Sequence, residues 1–208
     1  IFVLYGMAMP KVSEQHLESR KRQIVDAAFL CFARKGFHPT TMPDICTEAG
    51  LSAGAVYRYF ASKQAIIASA CDASQESSDL ELLASATEVS DTSEMLQGLA
   101  GAFFSRLDGS DATTLNRATV QLWAEVAVNE DVRGSFKERE AKIADGLKAV
   151  VTEAQKRGDF ETTLDPNAIV QAMLALYDGF RLQKAIDPDL PTAAYVAVVK
   201  ALLTGALW

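Results

Sequence analysis

Thr41-Met42-Pro43-Asp44-Ile45-Cys46-Thr47-Glu48-Ala49-Gly50-Leu51-Ser52-Ala53-Gly54-Ala55-Val56-Tyr57-Arg58-Tyr59-Phe60 reads as two short helices and the tight turn between them. Thr41 caps the first, with Asp44 three residues on as its reciprocal capping-box partner. Pro43 is tolerated there because first-turn N–H groups have no intrahelical acceptor. The helix spans Met42 to Ala49, and Gly50 supplies the positive φ of the turn. Ser52 then caps a second helix through Phe60. Ile45 and Ala49 face inward on the first helix, Leu51 plugs the turn, and Val56 and Phe60, four apart, face inward on the second. Cys46, four before Gly50, is small enough for the helices to cross closely. Every position that must be apolar or small is so, which marks a helix-turn-helix.

Working outward, Ile24, Ala27, Ala28, Cys31 and Phe32 form one face of a preceding helix, from near Gln15 to Gly36. Ser62 caps a following helix that starts at Lys63. Charge marks off the same region. Pro10 to Lys63 holds eight Lys/Arg against five Asp/Glu (+3), while Gln64 to Trp208 holds twelve against twenty-two (−10), within a net charge of −7. A small basic module followed by a larger acidic one is the expected organisation.

The stretch Gln23 to Ala70, with Phe32-Ala33-Arg34-Lys35-Gly36-Phe37, Thr40-Thr41-Met42-Pro43-Asp44-Ile45 and Ala49 through Lys63, resembles the DNA-binding domain of the TetR family of bacterial transcription regulators. The remainder resembles that family's helical effector domain more loosely, at Leu122-Trp123-Ala124-Glu125 and Leu176-Tyr177-Asp178-Gly179-Phe180. One departure is Ala55, where the family usually carries Thr or Ser, so an expected hydroxyl contact to DNA is missing.

The recognition helix presents Ala53, Gly54, Ala55, Tyr57 and Arg58 on the side away from Val56 and Phe60. Small groups at its start, beside Ser52, let the backbone approach base edges. Arg58 reads a guanine bidentately or binds phosphate. Tyr57 and Tyr59 donate to phosphates as the resemblance implies, with a core role as the alternative for Tyr59. Lys63, Thr41 and the triplet Arg20, Lys21 and Arg22 are positioning contacts. For the triplet an ordinary solvated face is the alternative, and Thr41 serves as a cap in either case.

The acidic part is helical in pattern throughout. Met95, Leu99, Phe103 and Leu107 keep one stripe, interrupted by Gly98 and Gly101, which thin the helix for a neighbour or a ligand. Val120, Trp123 and Ala127 mark another helix, and Val132 to Ala154 a long one ended by Gly158. Asp165 caps a helix with Pro166 in its first turn, running to about Lys184, and a last helix begins near Pro191. These final two are apolar on nearly all sides and so must be covered from outside. A homodimer burying Met173, Phe180, Val199 and Leu203 is expected, with a monomer enclosing both helices as the alternative.

The fold class is therefore all-α: a tail at 1–10, a helix-turn-helix DNA-binding domain at 11–63, and an effector-binding and dimerisation domain at 64–208. Residues 1–6 read as an added or upstream-translated stretch, a functional apolar arm being the alternative. The resemblance implies a ligand-responsive regulator, most often a repressor in that family, released from a palindromic double-stranded DNA operator by a small, mostly apolar effector. Phe103, Phe104, Trp123 and Tyr177 line that effector site and Asp178 orients the ligand. Alternatively the aromatics fill the core and Asp178 pairs with Arg181. An architectural DNA-binding dimer without effector is a second reading. A helical-bundle enzyme is a third, opposed by the lack of a Ser/His/Asp set, a phosphate loop or metal-ligand spacing. Only His16 and His38 are histidines, and Cys31, Cys46 and Cys71 form no CxxC pair. No metal or cofactor is expected, the thiols are expected buried and free, and no apolar run reaches the ~18 residues of a membrane span. A cytoplasmic location follows.

Overall fold

The computed structural model describes residues 14–71 and 75–203. The tail at 1–10, the Cys71 thiol and the Leu203 side chain lie outside the described residues. Among those described there is no strand, and the helices are α1 Glu14–Lys35, α2 Met42–Ala49, α3 Ala53–Tyr57, α4 Lys63–Cys71, α5 Gln75–Glu88, α6 Thr92–Phe104, α7 Ser110–Val128, α8 Glu130–Arg157, α9 Pro166–Ile186 and α10 Thr192–Leu203. A single 3-10 turn, Ser105–Leu107, follows α6.

The cap chemistry sets the helix-turn-helix. The Thr41 hydroxyl accepts from Asp44 N–H (3.2 Å) while the Thr41 N–H donates to the Asp44 carboxylate (2.9 Å). Lys35 donates to the other Asp44 oxygen at 2.6 Å, and these donors together hold that carboxyl well below the ordinary range. Gly50 takes φ +65°, and the N–H groups of Gly50 and Leu51 reach back to Thr47 and Cys46 carbonyls. Ser52 accepts from Ala55 N–H at 3.3 Å. The recognition helix is shorter than the spacing implies. It ends at Tyr57, with Arg58 as a right-handed C-cap and Phe60 N–H still bonded to Val56 O.

Ile24, Ala28, Phe32, Phe37, Ile45, Val56, Phe60, Ile66 and Ile67 form one core, and Ala118, Leu122 and Val132 of α7 and α8 close it. This core runs unbroken across residue 63, so the DNA-binding and effector portions share apolar packing. A second cluster joins Leu83 of α5 and Leu99 of α6 to Leu147, Val150, Val151 and Val170 of α8 and α9. The sequence reading missed α5, whose Ser-, Asp- and Glu-rich pattern buries Leu83, Ala86 and Asp79 among its described residues.

Two expectations are overturned. Gly98 and Gly101 are exposed, and a Cβ at either would meet nothing within 4 Å, so neither admits a neighbour. The close approach is at Gly146, where a Cβ would stand 2.8 Å from Leu83 Cδ1.

The second correction concerns the dimer face. Phe180 (2% exposed) and Val199 (6%) are buried within the single chain, and Met173 turns toward the cavity described below. The face of α9 left outside is Ala168, Ala172, Ala175, Leu182 and Ile186, and that of α10 is Ala194, Val198 and Leu202. Both helices are apolar on nearly all sides, with exposed Gln171 and Gln183 flanking the outer face of α9, so period alone could not choose a face. Packing chose it: Phe180 stacks on Tyr195 at 4.0 Å and joins Phe104, so the rings take the interior and alanines with Leu182, Ile186, Val198 and Leu202 remain outside.

Candidate DNA-contact face and effector cavity

Ser52, Ala53, Gly54, Tyr57 and Arg58 are all exposed, Ala55 is half-buried, and Thr41 is exposed at the start of α2. They lie on the opposite side from buried Val56 and Phe60. The Arg58 guanidinium stands 5.3 Å over the Tyr59 ring and donates to its hydroxyl at 3.3 Å. Tyr59 itself is half-buried against the core, so its ring is scaffold and its oxygen orients Arg58. Gln23 of α1 donates to Ala49 O at 2.8 Å, tying α1 to the end of α2.

The basic residues divide differently from the sequence reading. Lys63 is turned inward: its ammonium donates to Phe37 O (2.7 Å) and His38 O (3.2 Å) and sits 4.4 Å over the Phe37 ring. Burial pulls it below the ordinary lysine range, with Glu125 opposing that pull. Arg34 pairs with Glu48, Arg20 donates to Gln23, and Lys21 pairs with Glu18 at 2.8 Å. Arg22 is exposed and lies on the rim of the cavity.

That cavity, of about 1180 Å³, lies between the helices of the effector part and α1. All five residues expected at a ligand site, Phe103, Phe104, Trp123, Tyr177 and Asp178, line it. The core alternative holds for Phe104 as well, which is 6% exposed and meets Tyr177 edge-on at 5.2 Å and Phe180 at 6.0 Å. Phe103, Trp123 and Tyr177 are half-buried.

The Asp178–Arg181 alternative does not describe the geometry. Arg181 instead donates to Tyr177 Oη at 2.8 Å and stacks over that ring at 4.8 Å, leaving its Nε–H buried with no partner. Burial pushes the Asp178 carboxyl up, against the pull of Arg181 and Arg139. Burial and then the Asp178 charge push Glu140 up as well.

Sequence reasoning missed Arg139, Glu140 and Arg181 as cavity residues. It also missed the α1 wall, Val25, Phe29 and Leu30. For the α8 pair a signal existed: Phe136, Arg139, Glu140, Ile143 and Leu147 keep the spacing of one helical stripe, so two charges sit inside an apolar face. The α1 wall left no such mark, because it depends on how two modules dock.

A family model described as "Bacterial regulatory proteins, tetR family" matches residues 24–70, and one described as "BetI-type transcriptional repressor, C-terminal" matches 92–207. An HTH-type transcriptional repressor of Mycobacterium tuberculosis is 45% identical over 58 residues, 28% of this chain but only 31% of that protein. The HTH-type transcriptional regulator TtgR of Pseudomonas putida is 27% identical over 187 residues, 87% of each chain. Among solved structures, the fatty acid degradation regulator FadR of Bacillus halodurans superposes with a TM-score of 0.80 at 25% identity, covering 90% of this chain and 96% of its own. FadR of Bacillus subtilis, in complex with stearoyl-CoA, gives 0.75 at 23% identity, over 88% and 98%.

Proposed function

Because the chain belongs to the TetR family of bacterial regulatory proteins and is a transcription regulator, we propose that it is a repressor. It holds a palindromic operator as a homodimer and lets go when an amphiphilic small molecule fills the α6–α9 cavity. The observation that carries this reading is the cavity's double ownership. Leu96, Leu99, Leu147 and Leu174 of the effector bundle line it, and so do Val25, Phe29 and Leu30 of α1. A ligand there touches the DNA-binding module directly. The helix α4, which follows the recognition helix, contributes Ser69 alone among its described residues to the lining. Since α1 holds α2 through Gln23 and the shared core, displacing α1 against α7 moves the recognition helix with it.

Ser52, Ala53, Gly54, Ala55, Tyr57 and Arg58 enter the major groove, and Thr41 and Arg22 hold phosphates. Two copies associate through Ala168, Ala172, Ala175, Leu182 and Ile186 of α9 with Ala194, Val198 and Leu202 of α10. Small residues in both stripes favour close helix approach, and Ile186 (75% exposed) and Val198 (50%) are costly to leave in water. No helix among the described residues is long and apolar enough to cross a membrane, and a DNA-binding role puts the protein in the cytoplasm. An open cavity of this size disfavours an architectural dimer, whose core has no reason to stay unfilled.

A ligand must bind one dimer geometry better than the other, by a factor near the change in operator affinity. The test is to select duplexes from a random pool, then titrate amphiphiles against the bound operator by fluorescence anisotropy. The expected result is a palindrome with half-sites about one helical turn apart, released by compounds that also raise the melting temperature. Ligands that stabilise the protein yet leave operator affinity unchanged overturn the coupling. A clean monomer by light scattering, or an Ile186→Glu/Val198→Glu double variant that remains dimeric, overturns the interface.

A further inference from the structure

The charges that α8 and α9 bring to the cavity are grouped, apart from its other charged lining: Glu18, Lys21, Arg22 and Asp26 of α1, Asp111 of α7, and Asp79 paired with Arg106. On α8 the lining stripe runs from Leu147 and Ile143 to Glu140 and Arg139, and on α9 from Met173 and Leu174 to Asp178 and Arg181. Two consecutive helices joined by a short loop run antiparallel. The apolar halves of both stripes therefore lie at one level and the four charged residues at the other. Val132, earlier on α8, packs into the core of the DNA-binding module, whereas Leu147 and Val150 pack into the cluster beyond it. The charged end thus lies toward α1, and the apolar end points away.

The four charges of α8 and α9 balance, two guanidinium against two carboxylate, and those of the α1 wall balance too, Lys21 and Arg22 against Glu18 and Asp26, but the four on α8 and α9 do not satisfy one another. No ion pair within 4 Å joins them, although Asp178 feels both arginines and Glu140 feels Asp178. Arg181 makes one hydrogen bond, to Tyr177, and its Nε–H is buried without an acceptor. A buried donor without a partner and carboxylates in an apolar stripe are costly unless something completes them.

We propose that Arg181 and Asp178 of α9, with Arg139 and Glu140 of α8, form the head-group site. They select an amphiphile whose head is uncharged or zwitterionic and carries both a hydrogen-bond acceptor and a donor, as a hydroxyalkyl amide does. The acceptor takes the Arg181 Nε–H and the donor meets the Asp178 carboxyl. A simple carboxylate head meets Asp178 and Glu140 as repulsion, and a simple ammonium head meets Arg181 and Arg139. The apolar tail runs between α6, α8 and α9, and the head lies against α1.

This inference rests on the cavity being the effector site, and its test keeps the two apart. Decanoate, decyltrimethylammonium and N-(2-hydroxyethyl)decanamide share a tail length and differ in head. Each is titrated into the full chain by calorimetry below its micellar concentration, and separately into the operator complex. The amide is expected to bind at least tenfold tighter than either ion. Arg181→Met should shrink that advantage to less than threefold, and Arg139→Met serves if the first variant unfolds by circular dichroism. An ion that matches the amide, an amide that does not bind, or an advantage that survives both arginine variants overturns the head-group assignment. Tight amide binding without operator release overturns the effector reading and leaves the head-group assignment standing.

Discussion

Lys63→Ala separates a structural lysine from a phosphate-binding one. The ammonium donates at 2.7 Å and 3.2 Å to the Phe37 and His38 carbonyls and lies 4.4 Å above the Phe37 ring. A hydrogen bond from a charged donor contributes about 1.5–3 kcal/mol when well buried. This side chain is only half-buried and water replaces part of what is lost, so the pair together is worth about 1.5 kcal/mol. The cation–π contact adds about 0.5 kcal/mol. A loss near 2 kcal/mol is expected, which for a chain this long lowers the melting temperature by about 4–8 °C. The loop between α1 and α2, which positions Thr41, loosens with it. Urea denaturation followed by circular dichroism measures the first effect. Anisotropy of labelled duplex against potassium chloride measures the second, and its slope should stay nearly unchanged because two of the three ammonium donors are already committed to carbonyls. Were Lys63 a phosphate contact, stability would hold and the slope would fall by about 0.9 per contact. Unchanged stability with that flattening would refute the argument.

Other outcomes are equally concrete. Arg58→Ala should cost about 1–3 kcal/mol of discrimination between operator and base-substituted duplexes, read by competition binding, if the guanidinium reads a base. Equal weakening on random DNA would make it a phosphate contact. Gly146→Ala gains about 1 kcal/mol of helix propensity. It also drives a methyl to 2.8 Å from Leu83 Cδ1 and 3.3 Å from Leu83 Cβ, which cannot swing away. Overpacking of about 1–3 kcal/mol should win, and a stabilised variant by urea denaturation would show that α5 yields freely. Asp178 has a raised pKa in the folded state, so the folded form binds its proton more tightly than the unfolded form does. Stability contributed by that proton is present at low pH and is lost as the pH rises from about 4 through the raised value. Asp178→Asn should remove this loss, so its stability advantage in urea should widen with pH and then level off. An advantage constant from pH 4.5 to 8 would contradict the assignment.

Much of the DNA-binding module was legible because its determinants are local. Thr41 and Asp44 cap each other across three residues, Gly50 turns the chain on its own φ, and Val56 and Phe60 share a face by helical spacing. The same local rules reach the Asp165 cap with Pro166 and the long helix ending at Gly158. The aromatics and Asp178 stand out as rings and a charge in apolar stripes, but spacing left a filled core open, and it was the family resemblance that implied the cavity they line. Local rules fail where a helix is apolar on nearly all sides. For α9 and α10 the period does not say whether Phe180 or Ile186 faces inward, and the stacking of Phe180 on Tyr195 from the next helix decides it. They fail too for long charged side chains, whose reach exceeds the helix that carries them. Lys63 meets carbonyls 25 and 26 residues away, and Arg106 pairs with Asp79 across 27. The residue types, their spacing and their caps determined that this chain is a helix-turn-helix joined to an apolar helical bundle. Only the docking of α1 onto that bundle decided that one cavity touches both, because a wall shared by distant segments has no period in either of them.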